Sequence, residues 1–413
     1  MFVRSQSAWG PLDGQGRSVL VIVAPGQGAQ TPGFLTPWVE NPTFSDRLTW
    51  LSAVAGMDLV HYGTEADAET IRDTAVAQPL LVASGMLAAL ELFPHPADAF
   101  EQIGALAGHS VGELAAAAGA RVITAEQAMV LVRERGRAMA TAAAATPTSM
   151  TAVLGGDRDE VLAKLSEHGL TPANDNGPGQ IVAAGTTQQL AQLSANAPGS
   201  ARLIPLSVAG AFHTEHMAPA VGVLSTLAKS VSTHDARIPI ISNRDGRVIH
   251  QGTEVLRRIV DQVSTPVRWD LCMETMQDLG VTGLLEMPPA GTLTGIARRA
   301  LKGVETFALR TPDQLDDARA FCQKHGVASA MDTSPTWRML VSPAKGTFKV
   351  AHGIDAGDSI APDSTIGAVS SLRDELPIVA PHGGTVMEWL VEDGDPVSPG
   401  QPLIRLHPEG VPS

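Results

Sequence analysis

Residues 18–24, Ser-Val-Leu-Val-Ile-Val-Ala, make an unbroken apolar, largely β-branched run that stops at Pro25-Gly26. A run without polar alternation fits a strand buried on both faces, and such strands belong to parallel sheets covered by helices. Further short apolar runs (Ile103 to Ala107, Ile238 to Ser242, Val281 to Glu286, Val304 to Leu309) alternate with helical stretches such as Leu80 to Leu92 and Leu293 to Leu301. That alternation predicts an α/β core with a mostly parallel sheet. At 413 residues the chain is long enough for two to three domains of about 100–200 residues each.

Two segments break the rhythm. From Met150 to Leu206 the pattern reads strand, helix, strand, strand, helix, strand, the order of a ferredoxin-like unit, and predicts a subdomain inserted over about 148–207. From about His325 the chain turns small and polar, the composition of a linker, here placed at 325–338. Beyond it, Val341-Ser-Pro-Ala-Lys-Gly-Thr-Phe348 recurs as Val379-Ala-Pro-His-Gly-Gly-Thr-Val386, and Gly357-Asp-Ser-Ile-Ala-Pro362 as Gly394-Asp-Pro-Val-Ser-Pro399. Offsets of 38 and 37 residues make 339–413 an internal repeat of two β units joined by Gly-Asp turns, a small all-β module.

Charge narrows the function. With 29 Lys+Arg against 43 Asp+Glu the net charge is −14, which repels a phosphate backbone and argues against nucleic-acid binding. Cys272 and Cys322 lack metal-ligand spacing and read as small buried hydrophobes of a reducing compartment. The polar tail 1–18 has no signal-type apolar core, and no stretch is expected to approach the roughly 18 apolar residues of a membrane span, so a cytoplasmic protein is expected.

The strongest chemical signal is Gly108-His-Ser-Val-Gly112 between the apolar run Ile103 to Ala107 and the helical run Glu113 to Ala118. A sharp strand-to-helix turn lifts a serine Oγ clear of the sheet and aims helix N–H groups at it, which makes Ser110 the candidate nucleophile of an α/β-hydrolase-like core. A neutral serine needs a base, and spacing alone does not choose among 12 histidines. Gly26-Gln-Gly-Ala-Gln30, at the end of the first strand, is either an oxyanion donor loop or a plain tight turn.

Seven ordered motifs then carry a resemblance: Pro25-Gly-Gln-Gly-Ala-Gln30, Gly108-His-Ser-Val-Gly-Glu113, Arg135-Gly136, Asn176-Gly-Pro-Gly-Gln180, Ala211-Phe-His213, Pro266-Val-Arg-Trp269 and Leu293-Thr-Gly295. Together they resemble the malonyl-CoA:acyl carrier protein transacylases, an acyltransferase family, from about Val19 to Leu309, within an acyltransferase domain placed at 19–324. The resemblance implies that Ser110 is acylated, that His213 is its base and is oriented by the main-chain carbonyl of Gln262, and that backbone N–H groups of Gln27 and Val111 form an oxyanion hole. It also implies that Arg135 holds the malonyl carboxylate and that Phe212 and Val111 favour malonyl over methylmalonyl. Without it, Arg135 would read as a solvated helix arginine beside Arg133 and Arg137, and His213 and His216 as structural histidines. One departure is Glu286-Met-Pro-Pro-Ala-Gly291, where the family usually shows Gly-Pro-Gly and where proline forbids a left-handed turn residue.

The tail resembles the biotinyl/lipoyl carrier module. Counting back seven residues from Ala380-Pro381, the position of the modified lysine is Arg373, and arginine forms no such amide, so an unmodified module is expected. The implied partners are malonyl-CoA and acyl carrier protein, with no metal and no redox cofactor; Arg298, Arg299 and Lys302 are either the basic surface that meets the acidic carrier or a solvated helix face. The module is either a docking element for a carboxylase or synthase or a degenerate packing unit. A serine esterase or thioesterase with the same elbow, and a scaffold carrying a working module, are the alternative readings.

Overall fold

The computed structural model describes residues 18–326 and 338–407, apart from 352, 356, 372, 373 and 382. They fall into two compact units, parted within 327–337. In the first, β1 (Leu20–Ala24), β2 (Ile103–Gly108), β7 (Ile240–Ile241), β8 (Val248–Ile249), β10 (Gly283–Glu286) and β11 (Glu305–Ala308) form one sheet in the order β11-β10-β1-β2-β7-β8. Every pairing is parallel except β7–β8, and Ala24 lies beside Gly108 at the ends of the two central strands. The opening run is buried on both faces: Leu20, Ile22 and Ala24 enter one apolar cluster, Val21 and Val23 the other. Both cysteines are free and buried.

The helix Thr74–Leu92 corrects one expectation, since it is long and apolar enough on average to cross a membrane although Gln78, Pro79 and Ser84 interrupt it. It lies mostly buried in the core, against the elbow helix Gly112–Gly119. The helix Ala125–Ala145 starts at a capping box, Thr124 Oγ1 accepting from Gln127 N–H and Gln127 Oε1 from Thr124 N–H. Ala128, Val132, Arg135 and Met139, spaced by three and four, share its buried stripe, so the capped start fixes where Arg135 points.

The inserted segment forms β3 (Thr148–Leu154), β4 (Thr171–Asp175), β5 (Gln180–Thr186) and β6 (Arg202–Pro205), with helices Arg158–Glu167 and Thr187–Ala195. Their order, β6-β3-β5-β4 with antiparallel pairing throughout, is that of a ferredoxin-like sheet. A fifth strand, β9 (Val267–Arg268), adds in parallel to β4, and Arg268 N–H donates to the Asn243 carbonyl after β7. The Pro266-Val-Arg-Trp269 motif thereby ties subdomain to core.

In the second unit the strands are β12 (Arg338–Val341), β13 (Gly346–Val350), β14 (Ser359–Ile360), β15 (Ser364–Ser370), β16 (Glu375–Ala380), β17 (Gly384–Trp389), β18 (Pro396–Val397) and β19 (Pro402–His407). They make two four-stranded sheets, β12-β19-β17-β14 and β16-β15-β13-β18. Shifting every strand of the first sheet by one repeat yields the second, so each half lends strands to both sheets. A half-repeat therefore has no sheet of its own. Phe348, Ile366, Val386 and Leu403 close the core between the sheets. Arg373 lies outside the described residues.

Candidate active site

Ser110 follows β2 and precedes the elbow helix with φ +54, a left-handed conformation that costs a non-glycine residue about 1–3 kcal/mol and persists only where its surroundings enforce it. The flanking glycines do so. A Cβ on Gly108 would sit 1.9 Å from the carbonyl carbon of Gly112, and one on Gly112 would sit 2.3 Å from the Ala24 carbonyl oxygen. Asn243 completes the clamp: its Oδ1 accepts Ser110 N–H at 2.7 Å, its Nδ2 donates to the Gly108 carbonyl at 2.6 Å, and its own N–H donates to Glu113 Oε1 at 2.8 Å.

His213, also left-handed at φ +61 and almost wholly buried, meets Ser110 Oγ through Nε2 at 2.8 Å. Its Nδ1 lies 2.8 Å from the Gln262 carbonyl. A carbonyl only accepts, so Nδ1 bears the proton and Nε2 offers a lone pair to the serine hydroxyl. Burial, followed by the positive charge of Arg135, pushes the imidazole down to about 3, so it is neutral at pH 7.

Arg135 is 2% exposed, far from the solvated reading that its neighbours suggest. Its guanidinium donates to Gln78 Oε1 at 2.7 Å, Gln262 Oε1 at 3.2 Å and Ser110 Oγ at 3.3 Å, and it has no carboxylate in ion-pair contact among the described residues. Burial lowers its pKa to about 10, with Glu113 opposing, so it stays charged. Burial likewise raises Glu113 to about 7. A buried cation whose direct hydrogen-bond partners are neutral amides and a hydroxyl is costly, and Glu113 offsets part of that cost through its charge without an ion-pair contact.

A pocket of about 240 Å³ opens over this group, with Gln27, Ser110, His213, Phe212, Asn174 and Leu293 among its lining residues. Gly26 must be glycine, since a Cβ there would stand 2.9 Å from the His109 carbonyl oxygen. The N–H groups of Gln27 and Val111 find no protein acceptor among the described residues. The buried Glu286 carboxylate accepts N–H bonds from Gly291, Leu293 and Thr294, so the Pro-Pro-containing loop is held by a side chain at the start of the helix Thr292–Ala300. Of the proposed docking cations, Arg299 donates to Gln180 Oε1 and Arg298 to Thr306 Oγ1, while Lys302 is exposed. His216 makes no side-chain contact with the group, and among the described residues no three His, Cys, Asp or Glu cluster to hold a metal.

The family model for the acyl transferase domain matches residues 21–329. The malonyl CoA-acyl carrier protein transacylase of Mycobacterium tuberculosis H37Rv is 47% identical over 299 residues, 72% of this chain and 99% of that protein. The chain belongs to the malonyl CoA-acyl carrier protein transacylase family. The Bacillus subtilis transacylase is 32% identical over 72% of this chain and 96% of its own length. Among solved structures, that of the M. tuberculosis transacylase superposes with a TM-score of 0.71 at 46% identity, over 73% of this chain and 99% of that one. A malonyl-transacylase solved in complex with a type II polyketide synthase acyl-carrier protein superposes with a TM-score of 0.67 at 27% identity, over 73% and 99%. The biotin-requiring enzyme model matches residues 339–406, a segment beyond the transacylase match.

Sequence reasoning missed Asn243, Gln78 and the internal role of Glu286. Asn243 follows the apolar run that becomes β7, and a polar Ser-Asn pair at the carboxyl end of a buried strand is the signal that points to a site. Replacing Asn243 by Ala strands a buried N–H and a buried carbonyl. The expected result is a loss of about 2–4 kcal/mol in stability, read by thermal unfolding, with Ser110 acylation slowed about 10²-fold because the elbow relaxes.

Proposed function

We propose that the chain transfers a malonyl group from malonyl-CoA to the phosphopantetheine thiol of acyl carrier protein through a malonyl-serine intermediate, in the cytoplasm, as a supply step of fatty-acid synthesis. The observation that carries this reading is the buried Arg135, in ion-pair contact with no carboxylate among the described residues, beside the Ser110–His213 pair. Ser110 Oγ attacks the thioester carbonyl while its proton passes to His213 Nε2. Negative charge collects on the carbonyl oxygen, where the N–H groups of Gln27 and Val111 would stabilise it by about 3–4 kcal/mol each. The C–S bond then breaks, and the coenzyme A thiolate takes the proton from His213. The carrier thiol reverses these steps: its proton goes to His213, sulfur attacks the ester carbonyl, and Ser110 leaves with the proton.

Arg135 meets the malonyl carboxylate with a planar fork able to donate two parallel hydrogen bonds. Phe212, against the same pocket, crowds the malonyl C2, a preference worth about 1–3 kcal/mol against an added methyl. The test is intact-protein mass spectrometry after brief mixing with malonyl-CoA or acetyl-CoA, followed by holo acyl carrier protein. A malonyl adduct that discharges onto the carrier supports transfer. An adduct lost to water equally fast without the carrier favours the esterase reading.

His213 gives a pH signature. Its base form persists until the pH approaches about 3, so the acylation rate should show no falling limb centred near 6.5 as a free histidine would. The stability signs are opposite for the two buried groups. His213 takes its proton near 6.5 only in the unfolded chain, so native stability declines as pH falls below 6.5, whereas Glu113, protonated up to about 7 in the native state, loses its contribution as pH rises from 4.5 to 7.

For the carrier protein, we assign the docking surface to the exposed Arg298, Arg299 and Lys302, on and just beyond the helix whose first residues line the pocket. For the module, we infer an unmodified docking element. Six large apolar side chains stand exposed on it (Met339, Val341, Leu376, Val379, Met387 and Leu390) and supply apolar contacts that a partner such as a carboxylase or synthase subunit could bury. The intact mass of the purified protein should carry no biotinyl or lipoyl increment. Failure to co-elute with acetyl-CoA carboxylase subunits at micromolar concentration removes the carboxylase as partner.

A further inference from the structure

A second cavity, about 180 Å³, lies between the elbow helix, the core helix Thr74–Leu92 and the sheet, and shares no lining residue with the catalytic pocket. Every side chain around it is apolar, Met86, Phe93, Phe100, Leu106 and Ile238 among them, save one: Arg121. The cavity is partly open to solvent and its lining is largely apolar, so a hydrocarbon chain that enters it leaves water for an apolar surface. Arg121 stands at the surface just past the end of the elbow helix with its guanidinium carbon 5.7 Å above the Phe100 ring. It makes no ion pair and no side-chain hydrogen bond among the described residues. A free cation beside an otherwise apolar cavity is complementary to one kind of small molecule, an alkyl chain with an anionic head.

We propose that this cavity binds a single-chain fatty acid anion of medium length, the tail inside and the carboxylate on Arg121. The size sets the length. A cavity of about 150 Å³ admits the six carbons of benzene, so one of 180 Å³ takes a tail of about seven carbons, as in octanoate. The inference is independent of the transfer chemistry at Ser110, and the catalytic pocket, whose lining is disjoint, stays free when the cavity is filled.

Isothermal titration of the full chain with octanoate and with octan-1-ol, alone and with the catalytic pocket saturated by coenzyme A, tests this. Octanoate should bind with a dissociation constant of about a millimolar or tighter, unchanged by coenzyme A. Arg121→Gln keeps a side chain of similar reach without the charge. It should weaken octanoate about three- to tenfold and leave octan-1-ol unaffected. Ala89→Phe, at a partly exposed lining position, should abolish both. Displacement by coenzyme A, equal binding in wild type and Arg121→Gln, or no binding at millimolar concentration each overturns the proposal, and Arg121→Gln decides it should Ala89→Phe fail to fold.

Discussion

Ser110→Ala protein mixed with malonyl-CoA gains no malonyl mass, and transfer to acyl carrier protein falls by about 10⁴–10⁶-fold, the scale on which removal of an activated serine is felt. Two geometric facts set that magnitude. The Oγ is the only atom of Ser110 that reaches His213 Nε2, and the tautomer fixed by Gln262 leaves that nitrogen with no other proton to collect. Water can replace the hydroxyl in space but not on the elbow. The clamp of Asn243 and the two glycines holds the Ser110 backbone, so folding should survive the change, with a melting temperature within a few degrees of wild type. A malonyl adduct on the Ser110→Ala protein would falsify the assignment of the nucleophile.

Arg135→Ala should invert the enzyme's choice of acyl group. Acylation by malonyl-CoA should drop about 10²–10³-fold, since a buried charge pair lost on one side costs about 3–5 kcal/mol, while acylation by acetyl-CoA should hold or rise because its methyl no longer faces an unpaired cation. Arg135→Lys should recover only part of the malonyl rate, since an ammonium lacks the fork. The same variant carries a second readout. Arg135 is the second cause, after burial, of the depressed His213 pKa, so its removal should move the acid limb of the acylation profile upward in pH. Equal losses for malonyl-CoA and acetyl-CoA, with the limb unmoved, would make Arg135 structural and sink the selector role.

The candidate site was legible where its geometry is local. A G-x-S-x-G elbow needs its residues consecutive because the turn itself does the work, and the steric reason appears in the clashes that any Cβ on Gly108 or Gly112 would meet. Arg135 was named by the resemblance and not by its pattern: three arginines at alternate positions of one helix look alike until the fold shows that Arg135 shares the buried stripe of Ala128, Val132 and Met139. Asn243 and Gln78 carry no motif, and only the folded chain brings them 133 and 57 residues away in sequence to Ser110 and Arg135.

By itself, then, the sequence determined what period and repetition can encode: a doubly covered parallel sheet from unbroken β-branched runs, an inserted unit from a change of rhythm, and a duplicated β module from offsets of 37 and 38 residues. These are short-range properties, set by which faces of each element must leave water. Tertiary structure alone decided what depends on long-range approach: the exchange of strands between the two module halves, the addition of β9 to the subdomain, the clamp of Asn243 on the elbow and the burial of Arg135 against Gln78 and Gln262. Charge and hydrogen bonding act between whatever atoms the fold brings within about 3 Å, and sequence distance places no bound on which atoms those are.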